Sequence, residues 1–183
     1  MNANSKRIPT IVLGTLVAAS ALSAQTKHGV PERASERIAR EVRHEIVMLP
    51  YYGVFDNITF AVQGYNVTLM GYVTRPVLKK DAENVVKRIE GVEQVVNRIE
   101  VLPPSSMDDG LRLQLYRAIY GHPPLEKYAM PVIKPIRIIV NSGRVTLEGV
   151  VDSEADKNIV NLRANGVPGI FSVTNNLVVV KSK

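Results

Sequence analysis

The sequence predicts an α+β fold made of two tandem small domains, each running α-β-β-α-β with a three-stranded mixed sheet packed against two helices. Three observations carry this. Residues 58–73 and 136–151 each hold two alternating apolar runs joined by a short polar connection containing glycine, the pattern of a half-buried antiparallel hairpin. Each hairpin is preceded and followed by residues of helical periodicity. A single offset of 78 positions, with no gap, aligns Ile58/Ile136, Val62/Val140, Val67/Val145, Thr68/Thr146, Leu69/Leu147, Gly71/Gly149, Val73/Val151, Gly91/Gly169, Val95/Val173, Asn97/Asn175 and Val101/Val179. Chance does not hold one offset across a hairpin, a helix and a strand, so the chain is an internal duplication.

Residues 1–24 follow a different logic. Lys6 and Arg7 precede an uncharged stretch over residues 11–24 that ends in small residues, which is the pattern of a secretory signal peptide cut near Ala24 or slightly earlier. The alternative is an uncleaved anchor, but the apolar run is shorter than the ~20 residues a spanning helix needs. No other stretch is long enough to span, so no transmembrane segment is expected in the mature protein. The 183 residues include no cysteine, which leaves no disulfide and no site for an N-terminal lipid. A periplasmic protein is therefore expected, with secretion as the alternative. Without Lys6 and Arg7 the formal charge of +6 becomes +4, with 10 basic against 7 acidic residues from Pro103 onward. A mild basic excess suits an anionic surface, and export argues against nucleic acid as that surface.

Residues 25–31 read as a flexible lead-in and residues 32–102 as the first domain. Ile38, Val42 and Ile46 recur every four residues on a helix that Pro50 stops, with Glu36 and Arg40 spaced as a charge pair. Tyr51, Tyr52 and Phe55 then mark an aromatic connector expected to tuck under the sheet edge. In the hairpin, Ile58, Phe60 and Val62 share one face, as do Val67, Leu69, Gly71 and Val73 on its partner. An inward glycine marks close approach by another backbone, so a helix is expected to cross at Gly71 and Gly149. Thr74 is placed to cap a second helix with Pro76 in its first turn, an apolar stripe of Leu78, Ala82, Val85, Val86 and Ile89, and Gly91 at its end. Val95, Asn97, Ile99 and Val101 alternate inward on the third strand.

Residues 103–106 are the linker and 107–183 the second domain. Ser106 is expected to cap its first helix, where Leu111, Leu115, Ala118 and Ile119 form the buried stripe. The connector from residue 125 to 135 is longer than its counterpart. Asp152 stands where Thr74 stood, as a cap, and Ala155, Ile159 and Leu162 continue a stripe that Asn165 and Gly166 end.

The repeated pattern resembles the BON domain (bacterial OsmY and nodulation). It is carried by residues 67–73 with 91–97, and by 145–151 with 169–175: Val-Thr-Leu-x-Gly-x-Val, a helix, then Gly, Val and Asn at fixed spacing. The resemblance implies small α/β domains of periplasmic osmotic-shock and envelope-maintenance proteins, in contact with phospholipid or envelope polymers. It carries over no catalytic residue.

Side-chain chemistry points the same way. His28, His44 and His122 are scattered without metal-ligand spacing. Gly64 and Gly143 suit hairpin turns rather than a phosphate loop, and no serine sits in a nucleophile elbow. The carboxylates Asp108, Asp109, Glu154 and Asp156 lie at helix starts, where the helix dipole accounts for them. A non-catalytic protein without metal or cofactor is expected.

If Leu111, Leu115, Ala118 and Ile119 face the core, then Arg112, Leu113, Tyr116, Arg117 and Tyr120 face away from it. With Lys127 and Lys134 of the connector they form the candidate surface for an anionic phospholipid, another envelope polymer or a protein partner. The competing reading packs Tyr116 and Tyr120 against the other domain, since units of this size have small cores. The sheet faces away from the helices, with Ala61, Met70, Tyr72, Ile139, Val150 and Val178, are apolar enough for contact between domains or with clients. Two functions follow: peripheral association with the envelope that supports its integrity under osmotic or other stress, or chaperone-like binding of unfolded clients through those faces.

Overall fold

The computed structural model describes residues 32–180, so the expected signal peptide and lead-in lie outside the described residues. The first unit comprises α1 (Glu32–Val47), β1 (Asn57–Gln63), β2 (Asn66–Val73), α2 (Pro76–Val86) and β3 (Gln94–Val101). The second comprises α3 (Ser106–Tyr120), a 3-10 helix (Pro123–Tyr128), β4 (Ile136–Asn141), β5 (Arg144–Val151), α4 (Glu154–Asn165), β6 (Ser172–Asn175) and β7 (Val178–Val179). In each unit the hairpin is antiparallel, and its inner strand pairs in parallel with the strand that follows the second helix. β6 and β7 both pair with β5 and are two halves of one interrupted third strand. The expected α+β fold with two mixed sheets is the one observed.

Each unit buries its own core. Ile38, Val42, Leu69, Leu78 and Ile99 are fully buried in the first, and Leu115, Ile119, Ile138, Leu147 and Leu177 in the second. Burial of each such side chain contributes about 2 kcal/mol. The duplicated asparagines clamp helix to sheet in the same way in both units. Asn97 Nδ2 donates to the Lys79 carbonyl at 2.8 Å, and Asn175 Nδ2 donates to the Lys157 carbonyl at 3.1 Å. Their Oδ1 atoms accept the N–H two residues on, from Ile99 and Leu177.

Several expectations are corrected. Gly71 and Gly149 are not crossed by a helix: they take φ of +111° and +116°, and a Cβ there would collide with the carbonyl of Asn57 or Pro135 on the neighbouring strand. Thr74 is not the cap of α2, whose N-cap is Arg75; the Thr74 N–H and hydroxyl both donate to buried Asp56. The caps of α3 and α4 are Ser105 and Ser153, whose hydroxyls accept from the N–H three residues on. On α1 the ion pair is Arg37 with Glu41 at 2.8 Å rather than Glu36 with Arg40. Val101, expected inward, is 37% exposed, and Leu102 takes the core position at the strand end.

The stripe on α4 is also out of phase. Leu162 is exposed, and Asp156, Val160 and Ala164 are buried. These stand where Leu78, Ala82 and Val86 stand in the first copy, so the offset of 78 holds and a buried aspartate hid it.

The units meet through the first unit's aromatic connector. The Ile138 N–H on the free edge of β4 donates to the Val54 carbonyl at 2.9 Å. Arg137 Nη1 donates to the Gly53 carbonyl at 2.8 Å, and its guanidinium lies 4.7 Å from the Tyr52 ring centroid. Phe55 meets Tyr116 edge to face at 6.4 Å. Val54 and Phe55 thereby pack against the second core and cover a sheet edge that would otherwise be open.

Candidate functional site

The seven residues of the candidate surface separate into three groups. Arg112 and Tyr120 do not face away from the core: each is only 4% exposed. Arg112 Nη2 donates to the Val140 carbonyl at 2.7 Å and Nη1 pairs with Asp109, while Nε has no partner. A carbonyl and a carboxylate in reach give two of the three guanidinium nitrogens a partner inside the fold, which helical periodicity cannot foresee. The Tyr120 hydroxyl donates to the Ile136 carbonyl, and burial raises its pKa. Tyr116 is half-buried between Phe55 and Tyr120, as the interdomain reading expects.

Leu113 and Arg117 are exposed on α3, Leu113 by 52%. They are the part of the helix that faces solvent as expected. Lys127 and Lys134 are at the surface, but both ammonium groups are engaged. Lys127 bridges Asp152 and Asp156 at 2.9 and 2.8 Å, and those bonds raise its pKa. Lys134 donates to the carbonyls of Ala129 and Pro131, closing the loop before β4.

Asp156 anchors the connector. It accepts from Lys127 and from the Tyr128 hydroxyl at 2.7 Å, and that hydroxyl accepts from the Asp152 N–H. Burial pushes the Asp156 carboxyl up, but the bonds from Lys127, Tyr128 and Ser153 outweigh it and hold the group below its ordinary value. Asp108, assigned from sequence to the helix dipole, is buried and accepts the N–H groups of Ser142 and Gly143, fixing the turn between β4 and β5. These carboxylates are structural anchors. Among the described residues no group of three or more His, Cys, Asp or Glu could hold a metal ion.

Arg112 and Leu113 also line a cleft of about 400 Å³ between the units, with Phe55, Thr74, Arg75 and Asp109. Arg75 is exposed and stacks at 4.8 Å over the Tyr51 ring. Sequence patterning missed Arg75, because it belongs to the other unit and reaches α3 only through the docked connector. It also missed Met130 and Val132, 80% and 97% exposed at the tip of the Lys134-closed loop. Continuing the offset of 78 backwards from Ile136 pairs Val132 with Val54 and would have flagged them.

The BON domain family matches residues 34–103 and 125–181, well over half of the chain. The chain belongs to the BON domain family. The family is generally non-catalytic and envelope-associated, and among the described residues no helix is long and apolar enough to cross a membrane. The first match takes in α1, whereas the second begins after α3. No curated protein matches it in sequence. Among solved structures it is similar to CdsD, a structural protein of the type III secretion system of Chlamydia trachomatis, at 15% identity and a TM-score of 0.30, covering 80% of this chain and 94% of that one. The CdsD C-terminal domain is similar at 15% identity and a TM-score of 0.28, with 77% and 96% covered.

Proposed function

We propose that this BON protein is a non-catalytic, exported envelope protein that associates peripherally with anionic phospholipid and supports envelope integrity under osmotic or other stress. The carrying observation is the solvent face of α3, where Leu113 and Arg117 are exposed one turn apart and Leu113 lines the cleft that exposed Arg75 shares from the other unit. An apolar side chain flanked by exposed guanidinium groups is the composition that lies on anionic headgroups. Another anionic envelope polymer would meet the same chemistry. Arg112 is removed from the contact set because its charge is already committed inside the fold.

The purified protein is expected to co-float with anionic vesicles and not with zwitterionic ones, and the bound fraction falls as salt rises. Arg75→Glu with Arg117→Glu is expected to abolish flotation without altering the fold. Binding by the double variant equal to that of the parent removes the proposed surface. A second reading, chaperone-like binding of unfolded clients, is favoured by Val150 and Val178, paired on the outer sheet face and 44% and 58% exposed. Suppression of client aggregation that survives high salt and the arginine changes would select it.

A further inference from the structure

Each unit has residues at the positions of both halves of the joint between the units, and only one copy of each half is used within the chain. Val54 and Phe55 occupy the fourth and third positions before Ile58, and the offset of 78 puts Val132 and Ile133 in the same positions before Ile136. Val54 and Phe55 are half-buried on the second unit; Val132 and Ile133 are 97% and 48% exposed.

The receiving half is duplicated as well. Val54 is received at Ile138 on the free edge of β4, and Phe60 is its counterpart on β1. Ile138 stands opposite Leu147 and Phe60 opposite Leu69, the same register, so the Phe60 N–H points out of the edge as the Ile138 N–H does. The Tyr52 hydroxyl covers the neighbouring Ile58 N–H at 3.2 Å and leaves that position open. Beside the edge lies a groove of about 320 Å³ lined by Arg43, Ile46, Val47, Tyr52, Ile58 and Phe60. Its equivalent on the second unit, between β4 and α3, is where Val54 and Phe55 lie.

We propose that the chain associates head to tail with further copies of itself, Val132 and Ile133 of one molecule docking on the β1 edge and groove of the next. The occupant is a second copy because the molecule already contains this joint once, made from the equivalent residues of its own two halves. The contact is heterologous and lays a turn segment on a sheet edge through one backbone hydrogen bond, as Val54 does at Ile138. It is weaker than the internal joint. Thr59 stands where Arg137 reaches the Gly53 carbonyl and the Tyr52 ring, and on α1 Arg43 stands where α3 presents Tyr116 to Phe55.

Sedimentation velocity over a concentration series tests this. The weight-average sedimentation coefficient is expected to rise with concentration, and Val132→Asp, at a fully solvated position, is expected to hold the protein monomeric with an unchanged circular dichroism spectrum. Thr59→Arg, which restores the missing arginine, is expected to shift self-association to about tenfold lower concentration, the effect of one added charge-assisted bond. The chain has no cysteine, so Met130→Cys and Thr59→Cys, at the counterparts of Tyr52 and Arg137, give a unique pair. Because those parent side chains meet through their far ends, the pair suits a flexible bis-maleimide rather than a direct disulfide, and a crosslinked dimer is expected when the two single variants are combined with that reagent. A monomer at every concentration, self-association indifferent to Val132→Asp, or the absence of that crosslink overturns the proposal.

Discussion

The two copies use one scaffold and differ in what they do with the connector between the first helix and the first strand. In the first copy it is short, and its apolar residues leave their own unit to cover the β4 edge of the other. In the second it includes a 3-10 helix and is tied back to its own unit, through Lys127 and Tyr128 to Asp156 on α4. Where the first copy keeps Leu78 in the core, the second has Asp156, and that exchange turns a packing position into an anchor for an added segment. The residues common to both copies fix the sheet and its helix clamps. Those that differ decide what each unit touches.

The largest test of this contrast lies in what the copies share. Gly71→Ala and Gly149→Ala are each expected to cost about 3 kcal/mol, because φ and the neighbouring strand carbonyl both exclude a Cβ. Urea denaturation should register similar losses, and a loss confined to one copy would mean that the two hairpins are not built alike.

Asp156→Asn probes what only the second copy has, with an expected cost of about 1–2 kcal/mol near neutral pH. Because the folded carboxyl is held below its ordinary value, its contribution is complete above the ordinary aspartate pKa of ~4 and is lost as pH falls through the lower folded value. Parent and variant stabilities should therefore converge in acid; a constant difference across that range would separate the anchor from its charge. Lys127 has the opposite sign: its contribution is full at neutral pH and fades only in strong alkali.

The smallest expected effect is a gain. Gly110 on α3 has no atom within 4 Å of an added Cβ, so Gly110→Ala should stabilise the second unit by about 1 kcal/mol, measurable as a raised melting temperature. A loss there would indicate that α3 needs a flexible residue near its start.

Much of the fold was legible because duplication reinforces every signal twice. The offset located both hairpins, both inward glycines and both asparagines, and alternation assigned their faces. The candidate surface was less legible. Arg112 follows buried Leu111 on α3 and looks like a solvated charge, and its burial rests on the Val140 carbonyl, far along the chain, together with Asp109 one turn back. Asp156 likewise broke the apolar stripe of α4, since its partners Lys127 and Tyr128 belong to a 3-10 helix with no equivalent in the first copy. Capping was misplaced by one residue wherever two capping side chains are adjacent, at Ser105 and Ser106 and at Asp152 and Ser153, because composition alone does not choose between neighbours.

The docked connector has a consequence in time. Synthesis proceeds from the N-terminus, so the first unit is finished before β4 exists. Until the second hairpin forms, Val54 and Phe55 lack their resting place, and the half-made protein presents to its surroundings an apolar segment that the finished one conceals. Completion of the second half therefore also quiets the first, and a chain cut short in the linker would stay adhesive.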